Sequence, residues 1–264
     1  MDSAIGRFPA QIEIPQPRKF ASPIILLPEL FTTRTHLAVL TGFLSTRGWE
    51  VYVPDFRAVA GSGGTPTLGR LDFDTASGLV QEAIALLGRD AIVIGHGLGG
   101  LIALALAERP HVRAAIALAP ALPGFPSPLL LRPATLFALL RRRPLAPPRG
   151  RVLADFIANA ETFQRRALID ALVADAGRIA LQCARGRIRL ARFGEAAPRL
   201  IVVGDADPFA PIERARVIAG EIGARLVTLS GRGHWLVGGR SIDLAVGEAE
   251  RFLMRTLGPE LMLG

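Results

Sequence analysis

Four positions in the chain have residue types that could exchange protons or place a nucleophile, and each follows an apolar run. Ile92–Gly100 reads IVIGHGLGG, an apolar run entering a glycine-rich turn and then the helical pattern LIALALAERP. That is the layout of a nucleophile elbow, G-x-S-x-G, which holds an attacking hydroxyl on a strained turn. Here the middle position is Gly97, which has nothing to attack with. Downstream, VVGDADPFAP supplies Asp207, with Asp205 as its alternative, and GRGHWL supplies His234. A carboxylate and an imidazole are the side chains of general acid and base catalysis, and a histidine is poised to titrate near neutrality. The fourth position is Glu29, in LLPELF after the first strongly apolar run.

These positions need a scaffold. PIILL (23–27), EVYVP (50–54), AIVIG (91–95), RAAIALA (113–119), RLIVVG (199–204) and ARLVTL (224–229) read as strands. Most are continuously apolar, the pattern of a parallel sheet covered on both faces. Thr35–Thr46, Thr75–Leu87, Leu98–Glu108, Ile212–Glu221 and Ser241–Leu257 read as the helices between them. The alternation predicts a doubly wound, mostly parallel α/β sheet. From Leu122 to Leu190 no strand is evident, only proline-rich turns and amphipathic stretches such as PLLLRPATLFALL and ETFQRRALIDALVADAGRIALQ. The expected organisation is a core of residues 1–121 and 191–264 with a helical insertion, 122–190, over one end of the sheet.

Elbow, acid and histidine in that order, with a helical insertion between the first two, resemble the α/β-hydrolase superfamily, specifically its small bacterial esterase- or lipase-like members with a helical lid. The resemblance spans Pro23 to Leu257 and rests jointly on G-H-x-L-G-G, G-x-x-D-P and G-x-G-H-W. It implies that Asp207 is the acid, His234 the general base, and that the backbone N–H groups of Leu30 and Leu98 form the oxyanion hole. It also implies esterase, lipase or thioesterase activity. Gly97 departs from it, and so does Glu29, which stands where such proteins carry a glycine. Ser62 and Cys183 are poor replacement nucleophiles: Ser62 lies in a loop away from the elbow and Cys183 in the insertion. Trp235 and His96 read as packing residues, and His36 and His111 show no partner in sequence.

Glu29 has two readings: an exposed substitution on a rotated loop, or a carboxylate moved into the space freed at Gly97, facing His234 as an acid or base. Three functions follow. One is an enzyme using the His234–Asp207 dyad for non-covalent acid/base chemistry, with water or a substrate hydroxyl in the vacant serine position, as a lyase, cyclase or water-based hydrolase acting on a small or acyl-type apolar substrate. The second is a catalytically inactive hydrolase-like protein that binds a ligand under the lid. The third is an ordinary serine esterase, lipase or thioesterase inactivated by an engineered Ser-to-Gly replacement.

Composition narrows the classes. The 264 residues are half apolar with a mean hydropathy of +0.36, and the formal charge is +8. Lys19 is the only lysine and the arginines read as dispersed, which speaks against nucleic acid. Pro120, Pro123, Gly124, Pro126 and Pro128 break the apolar stretch 114–131, which speaks against a membrane span. Cys183 is the only cysteine and the N-terminus has no signal-peptide core, so a cytoplasmic location is expected. No metal or cofactor is expected, because the histidines show no ligand spacing. The sequence sets no oligomeric state.

Overall fold

Six apolar runs pair side by side as parallel strands. They are β3 (Ile24–Leu27), β4 (Val51–Pro54), β5 (Ala91–His96), β6 (Val112–Leu118), β7 (Arg199–Gly204) and β8 (Arg225–Leu229). The computed structural model describes residues 3–126, 128–130, 133–191 and 196–263. Of the segment PLLLRPATLFALL, Leu131 and Arg132 lie outside them. Two further strands precede the parallel set: β1 (Ser3–Ile5) and β2 (Phe8–Glu13) form a hairpin that adds antiparallel to β4. The sheet order is β1-β2-β4-β3-β5-β6-β7-β8.

Helices cover both faces: α1 (Arg34–Thr46), α2 (Phe73–Leu87), α3 (Leu98–Leu106), α8 (Ile212–Ile222) and α9 (Ile242–Leu257). Because side chains alternate along a strand, Ile24 and Leu26 pack with Leu37 and Leu40 of α1 and Phe252 of α9, while Ile25 and Leu27 pack with Val80 of α2 and Leu101 of α3. Among the described residues four further helices stand between β6 and β7: α4 (Pro133–Leu140), α5 (Gly150–Phe156), α6 (Thr162–Asp170) and α7 (Gly177–Ala184). Among the described residues no helix is long and apolar enough to cross a membrane.

Strand order reverses around β3 and β5. The chain runs from β3 outward to β4, then returns to place β5 on the other side of β3. Loops leaving the carboxyl ends of such neighbours diverge and leave a crevice, the usual ligand position in open α/β sheets. Glu29 leaves β3 and Gly97 leaves β5, so both stand at this crevice.

A clasp from the helical segment holds the Glu29 loop. Asp175 is buried; its carboxylate accepts from the Phe31 N–H at 2.8 Å and the Ala176 N–H at 2.7 Å, and pairs with the Arg57 guanidinium. The Val173 N–H donates to the Phe31 carbonyl at 3.0 Å. Phe31, at φ 69°, occupies the left-handed region that a residue with a bulky side chain rarely adopts unless its surroundings hold it there. Asp175→Ala leaves Arg57 and the Phe31 N–H unpaired, so a loss of about 3 kcal/mol in unfolding free energy is expected from denaturant titration.

Candidate active site

The elbow is built as its sequence suggests. Gly97 has φ 51° and ψ −113°, a backbone conformation suited to glycine, and its N–H donates to the Leu118 carbonyl at 2.9 Å. A Cβ on Gly99 would lie 2.5 Å from the Leu27 carbonyl oxygen, so glycine there lets α3 start hard against the end of β3.

Glu29 fills the elbow's vacancy. It is buried, and a Cβ added at Gly97 would lie 1.1 Å from Glu29 Oε2. Its Oε1 accepts from the Leu98 N–H at 3.0 Å and from the Leu30 N–H in a shorter bond. The two backbone donors proposed for an oxyanion hole therefore hold a carboxylate of the chain itself. One consequence corrects a sequence expectation: the position left by a serine side chain is not room for water beside His234, because Glu29 Oε2 occupies it. The exposed, rotated-loop reading of Glu29 is likewise overturned.

His234 lies between two carboxylates. Its Nδ1–H donates to Asp207 Oδ2 at 2.9 Å and its Nε2–H to Glu29 Oε2 at 3.3 Å, and all three residues are buried. Asp207 Oδ1 accepts from the Phe209 N–H at 2.7 Å, which fixes the carboxylate. Asp205 accepts instead from Ser230 and Gly231 at an exposed turn. The Phe209 and Phe156 rings stand 4.7 and 5.3 Å from the imidazole and close it off from solvent. Asn159, in the α5–α6 turn, accepts from the Gly233 N–H at 2.7 Å and so braces the histidine loop.

The electrostatics change the expected role of this histidine. Burial alone would lower its pKa, but the charge and hydrogen bond of Asp207, followed by those of Glu29, raise it to about 10. Both carboxylates thus favour the imidazolium form of His234, against the titration near neutrality that its sequence context suggests. His96 differs: burial and the neighbouring His234 push it down to about 4, and its Nε2–H donates to the His234 carbonyl at 2.8 Å. It is a neutral strut under the site. Trp235 packs its buried ring against His96 and His36.

The remaining candidates separate clearly. Glu29, His96 and His234 bring ligand-type atoms within 4.8 Å of one another, but an ion among them would have to displace the hydrogen bonds just described. Cys183, placed by sequence in the insertion, reaches the same cavity as Glu29 and His234. Burial, then the Glu29 charge, push its thiol up to about 12, so it is not a thiolate nucleophile. The Ser62 hydroxyl donates to the Val59 carbonyl at 2.9 Å, away from the cavities. His36 accepts from the Thr33 N–H at 3.0 Å and donates to the Leu168 carbonyl at 2.9 Å, joining α1 to α6, while His111 pairs with Asp90 at the surface.

Two small cavities flank Glu29, and Leu30 and Leu98 border both. One, of about 70 Å³, is walled by Leu27, Phe56, Leu71, Val80, Ile102 and Ile179. The other, of about 40 Å³, is walled by Leu122, Phe125, Ala180, Cys183, Phe209 and His234.

Because the unfolded chain releases the His234 proton around its ordinary value near 6.5 and the folded one near 10, this stabilisation is complete below pH 6.5 and is lost as pH rises through about 10. Imidazole ¹⁵N resonances followed by NMR should show His234 doubly protonated at pH 8 and titrating well above 8. Glu29→Gln should move that midpoint downward.

Comparisons with known proteins agree with the architecture. The model of the alpha/beta hydrolase family matches residues 27–243. No curated protein sequence matches the chain. Among solved structures, a monoacylglycerol lipase from Paleococcus ferrophilus is similar at a TM-score of 0.68 and 22% identity, covering 94% of this chain and 98% of that one. A lipase-esterase related protein from Clostridium acetobutylicum is similar at 0.70 and 14%, covering 93% and 99%. A thermophilic esterase from Thermogutta terrifontis is similar at 0.68 and 17%, covering 94% of each. At these identities the likeness concerns the fold. With the family model spanning most of its length, from the end of β3 to the start of α9, this chain belongs to the alpha/beta hydrolase family.

Proposed function

We propose that this chain is a hydrolase-fold enzyme that works without a serine nucleophile, through acid/base chemistry of Glu29, His234 and Asp207 on a small or acyl-type apolar substrate. The observation that carries the reading is the hydrogen bond between Glu29 Oε2 and His234 Nε2 in a buried array that also holds the backbone donor pair. Segment 122–190 acts as the lid: α7 contributes Ile179, Ala180 and Cys183 to the cavity walls. The lining sets the apolar preference, and the cavity sizes favour a substrate that enters as the lid gives way.

A substrate carbonyl takes the Leu30 and Leu98 N–H pair by displacing Glu29 Oε1, which leaves a carboxylate beside the bound molecule. Glu29 then accepts a proton from a substrate C–H or O–H, or from water, while His234 delivers its Nε2 proton to the substrate oxygen. Asp207 keeps the imidazole oriented throughout. The products are those of elimination, ring closure or addition of water. Glu29 is left protonated and His234 neutral, and one proton passed between them restores the resting pair. No covalent intermediate is required.

A second reading, ligand binding without turnover, has one feature in its favour: at rest the carboxylate fills both the donor pair and the nucleophile position. The two separate by experiment. Incubated with a panel of activated esters, β-hydroxy acyl compounds and hydroxy esters, the parent should convert at least one compound by mass spectrometry. Glu29→Gln and His234→Ala should each lower that rate by about 10²–10⁴-fold. Binding with no conversion would favour the second reading, and full activity in both variants would reject the first.

A lone Ser-to-Gly inactivation makes a different forecast. With Cβ 1.1 Å from Glu29 Oε2, Gly97→Ser forces the carboxylate out and puts a side chain at φ 51°, at a cost of about 1–3 kcal/mol. Gly97→Ser alone should stay inert toward activated esters, while Gly97→Ser with Glu29→Gly should show an acyl-enzyme burst. Full esterase activity in the single variant would restore the inactivated-enzyme reading.

A further inference from the structure

The positive charge of this chain has an address. Residues 122–190 carry twelve arginines and four acidic residues, while the other 195 residues carry nineteen basic and nineteen acidic ones. The whole formal excess of +8 therefore lies in the helical segment, against the dispersed arrangement that the arginines suggest when counted along the chain.

Part of that charge is concentrated on one surface. Helices α4 and α7 pack together, and Arg142, Arg178, Arg185 and Arg187 line a groove of about 350 Å³ between them. All four are exposed. Arg178 faces Asp72 at 3.6 Å, while Arg142, Arg185 and Arg187 have no acidic partner among the described residues. Beside this groove α4 turns large apolar side chains to solvent: Phe137 is 52% exposed and Leu140 74%. The Arg141 guanidinium lies 5.0 Å from the Phe137 ring, so cation and apolar tip share one surface. Helix α7 links this surface to the interior, because Arg178 and Arg185 border the groove while Ile179 and Cys183 wall the cavities beside Glu29.

We propose that the α4–α7 face docks on the surface of an anionic phospholipid bilayer. Unpaired arginines meet lipid phosphates, and Phe137 and Leu140 enter the boundary between headgroups and acyl chains. An acidic polymer in solution would use the charge but leave the two apolar tips in water. A bilayer engages both. Docking there also sets the wall of the cavities, α7, against a reservoir of apolar molecules. The inference does not depend on the chemistry assigned to Glu29 and is tested without substrate.

The test is sedimentation of the full chain with vesicles of mixed phosphatidylglycerol and phosphatidylcholine, or of phosphatidylcholine alone. Partition onto the anionic vesicles should be at least about ten-fold stronger and should fall with added salt. Arg142→Gln with Arg185→Gln and Arg187→Gln should weaken it by roughly a hundred-fold, at about five-fold for each charge. Phe137→Ser with Leu140→Ser should weaken it separately, and thermal melting checks that both variants stay folded. Phe137→Trp should give blue-shifted emission on anionic vesicles. Equal partition onto both vesicle types, anionic binding that survives the arginine substitutions, or an unshifted Phe137→Trp spectrum would each overturn the proposal. Retention of RNA without binding to vesicles would overturn it as well.

Discussion

A carboxylate held by two backbone N–H groups and an imidazolium is the interaction on which the rest of the site depends. Two negative groups and one cation are buried together, and burying them is tolerable only because every one is paired. Glu29 needs the Leu30 and Leu98 donors, His234 needs both carboxylates, and Asp207 needs the Phe209 N–H. Gly97 is the steric partner of this array, since any side chain there would meet Glu29. The two departures from the family pattern are thus one structural change seen at two positions.

The scaffold explains how a loop residue can be held this firmly. The crevice between the β3 and β5 ends brings the Glu29 loop over the elbow, and close packing of Gly99 on Leu27 fixes that spacing. The helical segment then completes the site from above. Asp175 pins the backbone two residues beyond Glu29, and Asn159 pins the backbone next to His234. Loops braced in this way hold the backbone of the donor pair and of the charge array in place, so that the Glu29 side chain is the group a bound molecule must displace.

Much of this was legible in the residues. The parallel strands fall within one residue of the apolar runs, because a strand buried on both faces leaves an uninterrupted run. The β1–β2 hairpin is not legible: β1 has only three residues, Pro9 interrupts β2, and an edge hairpin carries no continuous apolar signal. Asp207 and His234 were identifiable from GDADP and GRGHW. Glu29 stands out as an odd residue, but which of its two directions it takes does not, because Asp175 holds the nearby Phe31 backbone from 144 positions away and the Glu29 donors are backbone groups that carry no sequence signature. The raised pKa of His234 depends on the same long-range placement: its second carboxylate, Glu29, lies 205 positions away and faces the imidazole in only one of the two readings the sequence allows.

The central claim is that Glu29, as a carboxylate, occupies the place of a serine hydroxyl and its oxyanion and keeps His234 charged. Neutron diffraction from a deuterium-exchanged crystal at neutral pH reads that state directly. The account predicts deuterons on both ring nitrogens of His234, none on Glu29, and Glu29 Oε1 facing the N–D groups of Leu30 and Leu98. A single deuteron on His234, or a Glu29 side chain turned out of the donor pair with solvent in its place, would contradict it.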